Sequence, residues 1–191
     1  MSNSVKLECR CGTVKGSLKI VKRSRLHVQC LCCDCQSFAG HLNNKAHILD
    51  MHGATDLVQT YPEYMTITQG HDKICAIQQT QGGIFRWSVS CCNMPLANTM
   101  TSAKMPFVGV PVSLMKFSNE QEKQDLLGPI TMKAFGMYAL GTMPDDVHPT
   151  FPKSYLPKIM GFMLKGFILR KHTPSPFFAG KEPVVKVQKI F

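Results

Sequence analysis

Residues 9–21 read Cys-Arg-Cys-Gly-Thr-Val-Lys-Gly-Ser-Leu-Lys-Ile-Val, a paired-cysteine knuckle running straight into an alternating stretch. Val14, Leu18 and Ile20 fall on one face with Gly16, while Thr13, Lys15, Ser17 and Lys19 take the other. A period of two is the mark of a half-buried strand. Arg25 to Leu31 repeats the pattern, with Leu26 and Val28 opposite His27 and Gln29. Tyr64–Thr68, Ile74–Gln78, Ile84–Val89 and Phe107–Val112 read as further short strands, and Gln81-Gly82-Gly83 as a hairpin turn between two of them. Roughly the first 115 residues are therefore expected to form a mainly β, antiparallel domain. Asp50 to Pro62 is less regular and allows a short helix near Ala54–Thr60.

Of the 191 residues, 44% are hydrophobic and 18% charged, enough apolar material for one core and too much for global disorder. No apolar run reaches the roughly 18 residues of a membrane span. The opening MSNSVKLECRCG lacks the long apolar segment of a secretory signal. With nine cysteines in that setting, a reducing, cytoplasmic location is expected, where clustered thiols bind metal or do redox chemistry rather than form structural disulfides.

The last quarter changes character. Pro144, Pro149, Pro152 and Pro157 break up the entry to a segment with helical periodicity, dividing the chain into 1–150 and a basic extension, 151–191. Leu156, Ile159, Met160, Met163, Leu164 and Phe167 form the apolar stripe of an amphipathic helix expected to pack on the sheet. Ser154 is its expected N-cap, Pro157 suits the first turn, and the end is placed near Lys171. From Phe151 onward there are eight Lys/Arg against one acid, Glu182, a surplus of seven out of the formal charge of +10. Such a helix admits peripheral contact with an anionic membrane. Sequence-specific nucleic-acid recognition is not expected, because no DNA- or RNA-reading motif accompanies the charge.

The cysteines carry the chemistry. Cys30, Cys32 and Cys35 form C-x-C-x-x-C, three soft donors within six residues, a strong metal-binding pattern. Zinc sites closed by four protein ligands are structural, whereas those with three keep a position open. Three thiolates on Zn²⁺ carry a net negative charge and activate water poorly, so an incoming thiol suits the open position. Cys33, His27 and His41 are competing fourth ligands that would close the site. Cys9 and Cys11, with Cys91-Cys92 some eighty residues later, form a second set. Adjacent cysteines on a strand point to opposite faces, so Cys91 can join Cys92 on one ion only in an irregular turn. Cys75, in an apolar strand, is read as packing.

These residues resemble the glutathione-dependent formaldehyde-activating enzyme family, also called the centromere-protein-V-like family, of the Mss4-like fold. That family reads C-x-C-G, a strand, C-x-C-x-x-C, and later an aromatic-rich C-x-x-C-G-x-P-L. The first two elements stand intact as Cys9–Gly12 and Cys30–Cys35, and the third appears degenerate as Arg86 to Leu96. The resemblance covers about residues 7–112 and is nearest to a branch with a Ser-Cys-Cys element and an added C-terminal segment. It implies a structural zinc on Cys9, Cys11 and Cys92, and a looser zinc, at the thiol site, on Cys30, Cys32 and Cys35. Val89 stands where the family has its other late cysteine and Asn93 replaces glycine, so the first site needs Cys91 supplied by a bulge.

The activity the resemblance implies is addition of glutathione to formaldehyde, or its reversal, a carbon–sulfur lyase reaction with up to two zincs. Asp34, His27 and His41 lie near enough in sequence to be considered as proton donors, and none is singled out. Arg86, Arg10 and lysines are candidates for the carboxylates of glutathione. The rival expectation is a non-catalytic, zinc-stapled binding module that offers its basic surface to a protein, membrane or other anionic partner.

Overall fold

The computed structural model describes residues 3–22, 25–143 and 145–191; Pro144 lies outside them. The first strands are β1 (Ser4–Glu8), β2 (Lys15–Lys19), β3 (Leu26–Cys30), β4 (Thr55–Thr60), β5 (Met65–Gln69), β6 (Ile74–Gln78) and β7 (Phe85–Val89). They are followed by β8 (Met94–Thr99), β9 (Val108–Pro111), β10 (Met115–Lys116), β11 (Met132–Ala134), β12 (Phe178–Ala179), β13 (Glu182–Pro183) and β14 (Val187–Lys189). The helices are α1 (Cys33–His41), α2 (Lys45–Ile48), α3 (Glu120–Leu127) and α4 (Leu156–Ile168).

Two sheets face each other. The smaller runs β10-β1-β2-β5, and the larger β11-β3-β4-β9-β8-β7-β6-β14. Inner pairs are antiparallel, as expected, but both edges of the large sheet are parallel, β11 on β3 and β14 on β6. Val14, Leu18 and Ile20 are buried as the alternation requires, in a core that also holds Val58, Trp87, Leu96 and Val110. Trp87 is fully buried, with Nε1 donating to Thr99 Oγ1 at 2.9 Å, and Phe177 from the C-terminal extension packs on it at 4.8 Å. Residues 151–191 therefore supply core as well as a helix.

Three expectations need correction. Ala54–Thr60 is strand rather than helix: β4 lies inside the large sheet, with Thr55, Leu57, Val58 and Thr60 all buried. Burial on both faces erases the alternation, and the β-branched residues favour extended chain. Ser154 does not cap α4; it lies in a 3₁₀ turn, Lys153–Tyr155, and Tyr155 occupies the cap position without a side-chain bond. The stripe of α4 also divides. Phe162 and Gly166 are buried and Ile159 and Met163 half-buried, whereas Leu156, Met160, Leu164 and Phe167 face outward. The inward face is selected by Tyr61, whose ring stacks on Phe162 at 4.4 Å and whose hydroxyl donates to the Phe162 carbonyl at 2.7 Å.

Gly166 marks how closely α4 approaches. A Cβ there would come within 2.6 Å of Tyr61 and 2.7 Å of Pro106, while one on Gly161 would meet open space. Gly166→Ala is expected to cost about 1–3 kcal/mol by overpacking. Gly161→Ala is expected to stabilise by about 0.8–1 kcal/mol through helix propensity. Urea unfolding of both variants checks the opposite signs.

The outer face of the large sheet positions the candidate site. Paired residues across a sheet share a face, and the row Ile77–Arg86–Asn98–Gly109–Gln59–Leu26 crosses it. Leu26, Val28 and Cys30 continue that face along β3. Helix α1 covers part of it through Phe38, clustered with Leu42, Ile48 and Ile77.

Candidate metal centre

Cys9, Cys11, Cys91 and Cys92 converge, with all four sulfurs within 4.8 Å of one another. Cys9 Sγ lies 3.5 Å from Cys11 Sγ and 3.8 Å from Cys91 Sγ, and Cys91 Sγ 3.9 Å from Cys92 Sγ. A tetrahedron with metal–sulfur arms of about 2.3 Å has edges of about 3.8 Å, so the donor set fits a four-thiolate metal. The knuckle closes with Gly12 N donating to Cys9 O at 2.9 Å, and Val14 N points at Cys9 Sγ at 3.2 Å. Hydrogen bonding with Thr13 brings the exposed Cys11 thiol down to about 6. Burial, then the neighbouring Cys11 and Cys9, push Cys91 up to about 12. A divalent ion relieves that conflict by compensating the negative charge.

The irregular turn that Cys91 requires is present. The β7–β8 register shifts between Trp87 and Ser88, and Asn93 adopts a left-handed φ of 54°. Asparagine tolerates that conformation better than most residues. Both adjacent cysteines thereby reach one cluster.

Cys30, Cys32 and Cys35 form the second group, their sulfurs likewise within 4.8 Å of one another. Cys30 ends β3, and Cys35 sits in the first turn of α1, where its N–H bonds to the Cys32 carbonyl at 3.1 Å. Cys35 is buried, while Cys30 and Cys32 are half-buried. None of the three competing fourth ligands joins the cluster. Cys33 is exposed with its thiol toward Asp34, His27 is held by Gly128 and Asp56, and exposed His41 borders a cleft beside Ile74 and Cys75. Cys75 is itself exposed rather than packed, because Ile74 and Ala76 take the inner face.

Arg86 is the residue whose place was not legible in the sequence. It is 4% exposed, its Nη1 3.8 Å from Cys35 Sγ and 3.4 Å from Asn98 Oδ1, with the guanidinium 5.4 Å above the Phe38 ring. Among the described residues no carboxylate forms an ion pair with it. A buried cation requires a counter-charge, and the sulfur cluster is what it faces. Hydrogen bonds from Cys30 and Cys32, then Arg86, hold Cys35 well below the usual thiol range, whereas Cys30 is driven up by its two thiol neighbours and by burial.

Helix α1 spans the two clusters. Just beyond its C-terminus, Asn44 Nδ2 donates to Asn93 O at 3.0 Å, tying it to the Cys91-Cys92 turn. One residue past Cys35, Gln36 Nε2 donates to Leu31 O at 2.8 Å and Tyr138 O at 2.7 Å. The loop after β11 is thus fastened beside the three-cysteine group.

On the opposite face of β3, buried His27 bridges two acceptors. Its Nδ1 donates to the Gly128 carbonyl at 2.9 Å and its Nε2 meets Asp56 Oδ1 at 2.7 Å. Burial disfavours the imidazolium, but the Asp56 and Gly128 hydrogen bonds and the Asp56 charge outweigh it, with Arg25 opposing, and the pKa is raised. A raised histidine pKa contributes stability that is complete below the unfolded value, about 6.5, and is lost as pH rises through the folded value. Wild type is therefore expected to lose stability as pH rises from about 6 into the mildly alkaline range. His27→Gln should lack that slope in urea melts taken across the same interval.

No curated protein matches the chain. A crystal structure of a Rhodobacter sphaeroides protein, a structural-genomics target, is similar at a TM-score of 0.44 and 14% identity, covering 65% of this chain and 96% of that one. A protein family described as a family of unknown function, DUF6151, matches residues 1–188, through both cysteine clusters, the buried arginine and the C-terminal extension. The chain belongs to the DUF6151 family.

Proposed function

We propose that this chain is a zinc-dependent enzyme of the carbon–sulfur lyase type, built on a Mss4-like sandwich. It would join, or cleave, an adduct of glutathione or a similar thiol with formaldehyde or another small aldehyde in the cytoplasm. The observation that carries this reading is the inequality of the two sulfur clusters, four donors in one and three in the other. Thiolate-rich sets favour zinc over harder ions, and four donors make a closed structural site whereas three leave a position for a ligand. Cys9, Cys11, Cys91 and Cys92 would hold the structural ion, and Cys30, Cys32 and Cys35 the exchangeable one.

When bound there, zinc supplies a Lewis acid that lowers the pKa of an incoming thiol. The chain's own residues supply the setting. Cys30 and Cys32 are only half-buried, which would admit a ligand from solvent, and Arg86 would offset negative charge gathered at Cys35. The Gln36 bonds to Leu31 and Tyr138 fasten the start of α1, so the three sulfurs stay in register. In the addition, a carbon–sulfur bond forms as the carbonyl π bond opens, and the thiol proton ends on the carbonyl oxygen. Nothing is oxidised or reduced, so positioning carries much of the catalysis.

Metal content and thiol affinity of wild type and Cys32→Ser test this. Wild type is expected to hold about two zincs per chain and the variant about one, with thiol binding lost. Should the variant keep the full complement and the same thiol affinity, the catalytic reading ends and a zinc-stapled binding module takes its place.

A further inference from the structure

Among the described residues nothing covers the outward face of α4. At 100° per residue, Leu156, Met160, Leu164, Phe167 and Ile168 fall within an arc of about 120°. Each is between 44% and 71% exposed. The inward arc, through Phe162 and Gly166, is already occupied by Tyr61 and Pro106. A water-facing helix surface is ordinarily polar, and an apolar strip of this kind marks a surface of interaction.

Charge identifies the occupant. Lys158 lies on the flank between the ridge and buried Phe162, its ammonium 5.1 Å above the Tyr155 ring, and exposed Lys153 and Arg170 stand at the two ends of the helix. Lys171 is instead neutralised by Glu63 at 2.6 Å. Two copies joined ridge to ridge would bring these cations together within the seven-charge surplus of residues 151–191. An anionic bilayer accepts both features, the apolar ridge entering the acyl boundary and the lysines reaching the headgroups. The 13-residue helix is about 20 Å long, and among the described residues no helix is long and apolar enough to cross a membrane. We propose that α4 is a peripheral docking face for anionic lipid surfaces, lying flat with its Leu156–Ile168 ridge immersed.

Cosedimentation of the full, metal-loaded chain with vesicles tests this. Phosphatidylcholine vesicles with about a third phosphatidylserine should bind at least tenfold tighter than phosphatidylcholine alone, and raised salt should reduce the difference. Leu164→Asp with Phe167→Asp should abolish binding. Lys153→Gln with Lys158→Gln should weaken it by about 25-fold, fivefold for each surface charge removed. All four positions are exposed, and unchanged metal content and Trp87 fluorescence would show each variant folded. Failure of wild type to sediment with anionic vesicles, or unimpaired binding by the Asp variant, overturns the proposal. So does a concentration-dependent dimer that the Asp pair disperses while lipid binding is absent, which would make a second copy the occupant. None of these outcomes bears on thiol binding at Cys30, Cys32 and Cys35.

Discussion

Replacing Cys91 and Cys92 together by serine is expected to lower the melting temperature by roughly 8–20 °C and to remove one metal per chain. Cys9 and Cys91 are 82 positions apart, so the four-sulfur cluster closes a long loop as a disulfide would. A cross-link over about 80 residues restricts the unfolded chain by about 4–5 kcal/mol on chain-entropy grounds. At about 2–4 °C per kcal/mol for a domain of this size, that gives the expected range. The cluster also secures the N-terminal knuckle, whose neighbours Val14 and Leu18 are core residues. Chelating wild type should act in the same direction, because binding energy at such a site is folding energy. Fully buried Trp87 is the natural reporter, read alongside metal analysis. A double variant that melts like wild type would mean that the cluster carries no ion in the folded chain.

The second large effect is expected at Arg86. Arg86→Met removes the cation that faces the three-cysteine cluster, and should lower metal affinity there by about 10–100-fold, as loss of groups that support metal ligands generally does. Arg86→Lys should restore part of this, since it keeps the charge and loses the planar fork that reaches Cys35 and Asn98 together. The four-cysteine site should be unaffected. Competition with a chromogenic chelator resolves the two sites, and equal weakening of both would assign Arg86 a purely structural role.

Much of this arrangement was legible in the sequence because short-range chemistry fixes it. The C-x-C and C-x-x-C spacings bring sulfurs together locally, and the alternation of residues 13–21 sets which side chains enter the core. Elements buried on both faces were harder. Thr55–Thr60 and Met94–Thr99 mix polar and apolar residues on both sides, so no period of two survives. Helix α3 did carry a readable signal: Asn119 Oδ1 accepts from Glu122 N at 2.9 Å while Glu122 Oε2 accepts from Ser118 N, close to a capping box. The roles of Arg86, Asp56 and Asn44 depend on contacts between residues 29 to 51 positions apart, which pattern alone does not reveal. For α4, apolar residues on nearly every side left the buried face to be chosen by Tyr61.

Zinc K-edge X-ray absorption on the zinc-loaded chain, before and after excess glutathione, tests the unequal clusters most directly. One closed and one open site give an average of about 3.5 sulfurs per zinc, rising to about 4 when a thiol fills the remaining position. An average of about 4 without added thiol, or a value that glutathione leaves unchanged, would contradict an open three-cysteine site.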